Sequence, residues 1–391
     1  MAKIVFFCIP AQGHTNPTLG VVRELRARGH EVVYFSYEPL REKIEASGAR
    51  FIACDAYDCE QQLTEQDRVR IGGDIAFSIK VLVDTTLALN DMVCRELTQL
   101  QPDCIVADSM AIWGKAAAKK LGIPLVSSTT TFAFNQYSAQ AMRPSLKELA
   151  SSLWGMMKAN KQVRRLRRKG YPFKNALDII SNSNDTETIV FTSPQFQPQA
   201  ETFSEKYAFV GPSIRPVTEP LTKRKSPLIY ISMGTVNNDM LPFYRACIEA
   251  LRDLDCQAIL SVGNLVDLGA FTDLPEHITV RQQVDQIAVL EQADLFLTHC
   301  GMNSVSEALY FGVPLVTYPR TKEQLAVAAR AEELGAGLRL ESGDAARIRS
   351  AIEQVLREQT YREHAEEIAR GFAACPGAKG AADKILAVCG K

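Results

Sequence analysis

Two groups of residues have the types and spacing that chemistry needs. The first lies near the start, where the strand-like run KIVFFCI (3–9) leads into IPAQGHTNPT (9–18). Asn16 suits a helix N-cap and Pro17 the first helical position, which leaves His14 in the preceding loop. A neutral imidazole at a strand end can take a proton from a hydroxyl near pH 7; the alternative is an ordinary polar loop histidine. Such a base needs an orienting carboxylate, and Asp108, closing the strand DCIVA, comes from the same face of the same sheet. Otherwise Asp108 is a turn or cap residue before a helix beginning near Met110. In the second group, strand DLFLT (294–298) runs into His299, Cys300, Gly301, Met302, Asn303 and Ser304, then a helix holding Glu307. Glycine lets a backbone approach a ligand closely, and a helix N-terminus is a seat for phosphate. Ser304-x-x-Glu307 also fits a capping box, so Glu307 alternatively caps its own helix. The loop SMGT (232–235) adds Gly234 and the Thr235 hydroxyl as further phosphate contacts.

The elements that must carry these loops alternate along the chain. Strands are expected at 3–9, 31–35, 50–53, 103–107, 124–128 and 187–192, then at 228–233, 257–262, 278–281, 295–298 and 315–318. Helical patterns fill 17–28, 39–47, 72–98, 113–121 and 144–169, and in the second half 240–254, 286–292, 303–311, 323–334, 345–357 and 361–373. Near-continuous apolar strands separated by helices predict parallel sheets covered on both faces. The stretch 212–227 holds four prolines and no apolar period, as a linker would. The expected organisation is an N-terminal domain over 1–215, a linker over 216–227, a C-terminal domain over 228–375 and a helix over 376–391, packing either back on the N-terminal domain or on the C-terminal one. The fold class is α/β, with two Rossmann-like, doubly wound domains facing across a cleft and ligands at the carboxyl ends of their strands. Neither GxGxxG after the first strand nor GxxxxGK[ST] occurs, so dinucleotide redox chemistry and P-loop ATP hydrolysis lack their usual signatures.

Composition sets the outer bounds. The chain has 391 residues, 46% of them hydrophobic, and its 44 basic and 45 acidic side chains leave a net charge of −1. That excludes disorder and disulfide scaffolds, and gives no global field to hold nucleic acid. The uncharged stretch 121–142 is long enough to span a bilayer, but its Ser, Thr, Asn and Gln residues fit a strand and polar loop instead. The N-terminal apolar run is too short for a signal peptide. Ten cysteines show no CxxC and no metal-ligand spacing, as suits a reducing cytoplasm.

GHTNP, SMGT, VDQIAVL (284–290), HCGMNSVSEAL (299–309), GVPLV (312–316) and Glu323-Gln324 occur in that order. Together they resemble the UDP-dependent glycosyltransferases of the GT-B fold, in particular the bacterial macrolide-glycosyltransferase-like group, over nearly the whole chain. The resemblance implies a catalytic pair, His14 deprotonating the acceptor hydroxyl and Asp108 stabilising its charge. It implies a donor site in which His299 bonds the diphosphate, with Thr235, Asn303 and Ser304 around the same oxygens, and which also takes in Ser232, Gly234 and Gly301. Glu307 and Gln286 would hold the ribose, and Glu323 and Gln324 would read the transferred sugar. Three positions depart from the family pattern: Gln283 in place of a stacking Trp, Asp285 in place of Pro, and Ala329 in place of Asn. Uracil would then be held through Gln283 and the Val284 backbone. No metal and no other cofactor is implied, since an inverting transfer with a helix end and neutral donors at the diphosphate needs none.

Acceptor walls are expected at Gly13, Ile79, Met110, Trp113, Thr131, Phe132 and Phe134, whose apolar character suits a phenolic, polyketide or terpenoid acceptor. Helical spacing over 72–98 makes core packing the alternative there. The run 158–174 carries eight Lys or Arg; it reads as a solvated helix face, with a partner site as the alternative. The expected protein is a cytoplasmic UDP-hexosyltransferase, monomeric or weakly dimeric, with no nucleic-acid partner and no integral membrane segment. The alternatives are a sugar-nucleotide epimerase of the same fold and a catalytically degenerate sugar-nucleotide-binding protein.

Overall fold

The computed structural model describes residues 1–54, 57, 63–64, 67, 70, 74–135, 137, 146–180, 185–234 and 239–390. The chain divides into two compact units, one of residues 1–213 with 375–391 and the other of residues 214–374.

In the first unit the strands are β1 (Lys3–Phe7), β2 (Glu31–Ser36), β3 (Arg50–Ala53), β4 (Cys104–Asp108), β5 (Leu125–Thr129), β6 (Thr188–Val190) and β7 (Tyr207–Phe209). They form one sheet in the order β3-β2-β1-β4-β5-β6-β7, parallel throughout. Its helices are α1 (Gln12–Ala27), α2 (Arg41–Glu45), α3 (Ile75–Leu100), α4 (Ile112–Leu121), α5 (Leu146–Arg168) and α6 (Leu177–Ile180). Side chains alternate across a strand, so β1 feeds two cores at once. Ile4 and Phe6 pack with Val22 and Leu25 of α1, whereas Val5 and Phe7 pack with Leu89, Val93 and Leu97 of α3. That two-sided burial is why these strands read as unbroken apolar runs.

The second unit repeats the plan with β8 (Leu228–Ser232), β9 (Gln257–Ser261), β10 (Ile278–Arg281), β11 (Leu295–Thr298), β12 (Leu315–Thr317) and β13 (Gly337–Arg339). Their order is β10-β9-β8-β11-β12-β13, again all parallel. Around the sheet lie α7 (Leu241–Leu251), α8 (Gln286–Leu290), α9 (Met302–Tyr310), α10 (Lys322–Glu333), α11 (Ala345–Arg357) and α12 (Gln359–Ala373). Ile229 and Ile231 face Tyr244, Cys247 and Leu251 of α7 together with Ile348 and Ile352 of α11. The last helix, α13 (Gly377–Val388), belongs to the first unit: Ile385 joins the core that Ile4 and Phe6 share with α1, and Arg28 bonds Asp383 at 2.5 Å. No described helix is long and apolar enough to cross a membrane.

Each sheet places strands that are not consecutive side by side at one point, β1 with β4 and β8 with β11. At such a switch point the two outgoing connections part to opposite faces, and the crevice outside the strand ends is where doubly wound folds bind ligands. Both residue groups singled out in the sequence leave the sheet there.

One local expectation fails. Helix α1 begins at Gln12 with Ala11 at the N-cap, so Pro17 is its sixth residue and Asn16 caps nothing. Proline so early in a helix withholds a single interior hydrogen bond, which this helix tolerates. His14 is therefore the third residue of the helix, fixed by its first turn, and does not sit in a loop.

Candidate active site

In the first unit, His14 Nδ1 lies 2.8 Å from Asp108 Oδ2 across the β1/β4 switch point. The Asp108 side chain is 1% exposed and the His14 side chain 21%. An ionised carboxylate only accepts hydrogen bonds, so Nδ1 carries the proton and Nε2 is left as the basic nitrogen. The other oxygen, Asp108 Oδ1, accepts from the Met110 N–H at 2.9 Å. The turn reading and the orienting reading of Asp108 thus describe its two oxygens. Thr130, which sequence reasoning passed over, places its hydroxyl 3.2 Å from the same Nδ1 and is buried just past β5. Its only signal was a polar SSTTT run at a strand end, and that gains meaning once β5 is seen to lie beside β4.

In the second unit the β8/β11 switch point brings His299 against two glycines. A Cβ on Gly234 would stand 2.6 Å from His299 Nε2, and one on Gly301 2.8 Å from it. Gly234 has φ +84°, a left-handed conformation in which an L side chain is strained, and its N–H lies 3.4 Å from the Ser232 hydroxyl. Burial pushes the His299 imidazole down to about 4, offset only in part by the Ser232 backbone, so the ring is neutral at working pH. Its Nδ1 is buried without a hydrogen-bond partner among the described residues. Between them Cys300 holds φ +68°, uncommon for a residue with a side chain, and its N–H bonds the Thr298 hydroxyl at 3.2 Å. Gly301 is the N-cap of α9 and brings no side-chain acceptor to it. The positive end of the helix, with half-buried Asn303 and Ser304 in its first turn, lies beside a neutral ring. That arrangement is chemically suited to a diphosphate. Thr235 lies outside the described residues.

Glu307 does not cap its helix. As the sixth residue of α9 it accepts from Gln286 Nε2 of α8 at 2.5 Å, while Tyr230 donates to Gln286 Oε1 at 3.2 Å and Ser304 Oγ lies 3.3 Å from Gln286 Nε2. Burial raises the Glu307 carboxyl above the usual range, with the Gln286 hydrogen bond working against it. The capping box occurs instead at α10: Thr321 accepts from the Gln324 N–H and Gln324 Oε1 accepts from the Thr321 N–H at 3.2 Å. The oxygen of Gln324 is thereby committed to its own helix end. Glu323, one residue earlier, is exposed, as is Gln283, whose amide donates to Asn264 Oδ1 at 3.3 Å; Val284 is half-buried.

Asp285, the departure from Pro, is an anchor. It accepts from Arg215 at 2.7 Å, from both the N–H and the hydroxyl of Thr218 at 2.6 Å, and from the Glu219 N–H at 3.1 Å. Burial alone would raise this carboxyl; Arg215 and the Thr218 and Glu219 donors outweigh it and hold it well below the usual carboxylate range. The segment after Ile214 is thereby tied to the start of α8. Asp285→Ala is expected to cost about 2–4 kcal/mol at pH 7, because Arg215 and three donors lose their acceptor. A depressed folded pKa adds stability above the unfolded value that is lost as pH falls, so the gap between parent and variant narrows progressively below about pH 4. Urea unfolding at neutral and acid pH checks this; an equal gap at both would remove Asp285 from the role.

The expected acceptor walls separate into two kinds. Ile79 is fully buried between α3 and α5 and Trp113 is 3% exposed in the core beneath β1, so both are packing residues. Phe132 is buried against Phe196, with ring centroids 5.6 Å apart. Met110 and Phe134 are exposed, as is Gly13, and Thr131 is half-buried. Only this second kind presents surface to a ligand. Among the described residues no group of three or more His, Cys, Asp or Glu is placed to hold a metal ion.

Comparison with known proteins bears on what this arrangement does. Residues 245–388 match the family model described as the C-terminal domain of erythromycin biosynthesis protein CIII-like proteins. The chain is 34% identical to the NDP-glycosyltransferase YjiC of Bacillus licheniformis, over 98% of this chain and 97% of that one. It is 32% identical to the uncharacterized UDP-glucosyltransferase YojK of Bacillus subtilis, over 99% and 97%. Among solved structures, the glycotransferase of kitacinnamycin superposes with a TM-score of 0.86 at 27% identity, covering 99% of this chain and 98% of that one.

Proposed function

The chain belongs to the macrolide-type group of GT-B glycosyltransferases, and from that premise we propose that it moves a hexose, glucose first among them, from a UDP-sugar to a hydroxyl of a hydrophobic small molecule with inversion. The observation that carries the mechanism is the 2.8 Å contact between His14 Nδ1 and buried Asp108, which leaves Nε2 as a base. His14 Nε2 takes the acceptor hydroxyl proton as the acceptor oxygen attacks the anomeric carbon opposite the diphosphate. The bond from that carbon to the diphosphate breaks, its electron pair leaves with UDP, and an α-linked donor gives a β-linked product. Asp108 stabilises the imidazolium that forms. The first unit carries the base and the second the donor, whose diphosphate is assigned to the α9 N-terminus, the neutral His299 and the backbone around Gly234. Gln286 and Glu307 form the polar pair assigned to the ribose. The acceptor is assigned to the surface of Gly13, Met110, Thr131 and Phe134, and its class to phenols, polyketides or terpenoids. The protein is assigned to the cytoplasm, as a monomer or a weak dimer.

The test is UDP release on mixing with UDP-glucose and a panel of hydrophobic phenols, with product stereochemistry read by NMR. Transfer to at least one acceptor with a β-linkage is expected, and inactivity with every sugar nucleotide would sink the reading. Donor alone should remain unchanged, whereas a new sugar nucleotide would make the protein an epimerase. With fixed N–H donors and a helix end at the leaving group, excess EDTA is expected to leave the rate unaltered; strong inhibition would refute the metal-free mechanism.

A further inference from the structure

The basic run assigned to a solvated helix face has a structure that solvation does not explain. On α5, Trp154, Met157, Lys158, Lys161, Arg165 and Arg168 recur every three or four residues and share about one-third of the helix circumference. Arg164 borders the same strip. Trp154 is 62% exposed and Met157 70%, which large apolar side chains seldom are. The opposite face is fully used: Ala159, Val163 and Leu166 pack with Ile79 and Val83 of α3 and with Ile112 and Ala116 of α4. From Trp154 to Lys174 the sequence holds no Asp or Glu, and among the described residues Arg165 alone of these cations has an acidic partner, Asp84 at 2.6 Å. The strip therefore keeps a concentrated positive charge on a chain whose net charge is −1.

We propose that this face of α5 docks the protein on an anionic lipid bilayer. A helix lying on a membrane combines an apolar tip that enters the headgroup boundary with cations that meet the lipid phosphates, and Trp is the side chain that prefers that boundary. Here the two apolar residues occupy the N-terminal end of the strip and the cations follow from Lys158 to Arg168, over roughly 15 Å of helix. Charge complementarity selects the anionic surface, and the tryptophan selects a bilayer over nucleic acid. The Lys158 ammonium sits 3.3 Å from the centroid of the Trp154 ring and so covers one of its faces. A base would have to stack on the other. An indole entering lipid edge-on keeps its cation among the headgroups.

The purified full chain is mixed with phosphatidylcholine vesicles with and without phosphatidylglycerol, and the bound fraction measured by sedimentation. Binding is expected only with the anionic lipid, and is expected to be lost at high salt, where the screening length shrinks to about 3 Å. The triple charge reversal Lys161→Glu, Arg164→Glu, Arg168→Glu is expected to weaken binding by at least about 100-fold. The same change of charge at Arg252, Arg347 and Arg357, exposed on the second unit, should leave it intact. The chain has two tryptophans and Trp113 is buried, so quenching by lipid-borne quenchers reports Trp154. Trp154→Ala should abolish that signal and weaken binding several-fold. All the substituted side chains are exposed, and an unchanged melting temperature confirms that the variants fold. No binding at low salt would overturn the proposal, and so would equal loss in both triple variants. Strip-dependent binding of RNA in place of vesicles would overturn it in favour of nucleic acid.

Discussion

Replacing His14 by alanine is expected to lower kcat by about 10²–10⁴-fold while leaving donor affinity within a few-fold of the parent. The reason is that the side chain acts on the acceptor proton alone. Its ring is held by the first turn of α1 and by the 2.8 Å contact to Asp108, in a different unit from the donor assignment. Asp108→Asn should cost less, since an amide oxygen can still accept from Nδ1–H but no longer stabilises the imidazolium. Thr130→Val should cost least, because it removes a neighbour of the ring at 3.2 Å and leaves the carboxylate. The measurements are steady-state kinetics at saturating acceptor and donor titration by calorimetry. Retained kcat in His14→Ala would take the base role away from this residue. Loss of donor binding with intact folding would assign His14 to the donor.

Gly234→Ala is expected to reduce kcat/KM for the donor by about 10²-fold, the scale seen when one fixed donor to a developing charge is removed. Two independent effects act. An L residue at φ +84° costs about 1–2 kcal/mol, and the new Cβ would stand 2.6 Å from both His299 Nε2 and Cε1, so the imidazole must turn away. Gly301→Ala separates them: its Cβ would also press on His299, at 2.8 Å, but its φ of −61° carries no strain. A smaller loss is therefore expected there. In a His299→Ala background, Gly234→Ala should add only the backbone part, so the two changes combine less than additively. Full additivity, or an unaltered donor kcat/KM in Gly234→Ala, would show that the imidazole position does not matter.

The misreadings near the sites have specific physical causes. Asn16-Pro17 looks like a helix start because those residue types favour N-cap and first-turn positions. The actual helix starts at Gln12 behind an uncapped Ala11, which leaves no signature in sequence. Beside the donor site, Ser304-x-x-Glu307 and Thr321-x-x-Gln324 both fit the capping-box pattern, and of these two only the second forms one. The first is overruled because Gly301 begins α9 three residues earlier and Gln286 engages Glu307 from another helix. Met110 and Trp113 are three residues apart and equally apolar, yet one is exposed and the other packs beneath β1, as their places in the strand-to-helix turn decide. Asp285 read only as a missing proline. Its meaning lies in Arg215, Thr218 and Glu219, some seventy residues away, brought to it by the fold.

What the sequence determined by itself was whatever local pattern encodes. Apolar runs alternating with amphipathic stretches required parallel sheets covered on both faces. Glycine and histidine after strands marked the loops able to hold an anion or a base, and their order along the chain carried the family. Tertiary structure alone decided which loops meet. His14 and Asp108 are 94 positions apart, and Ser232 and Thr298 pair across two strands that the chain does not join directly. Strand order places β1 beside β4 and β8 beside β11, and it is set by how whole faces bury against helices, a property of the assembled sheet that no single segment encodes.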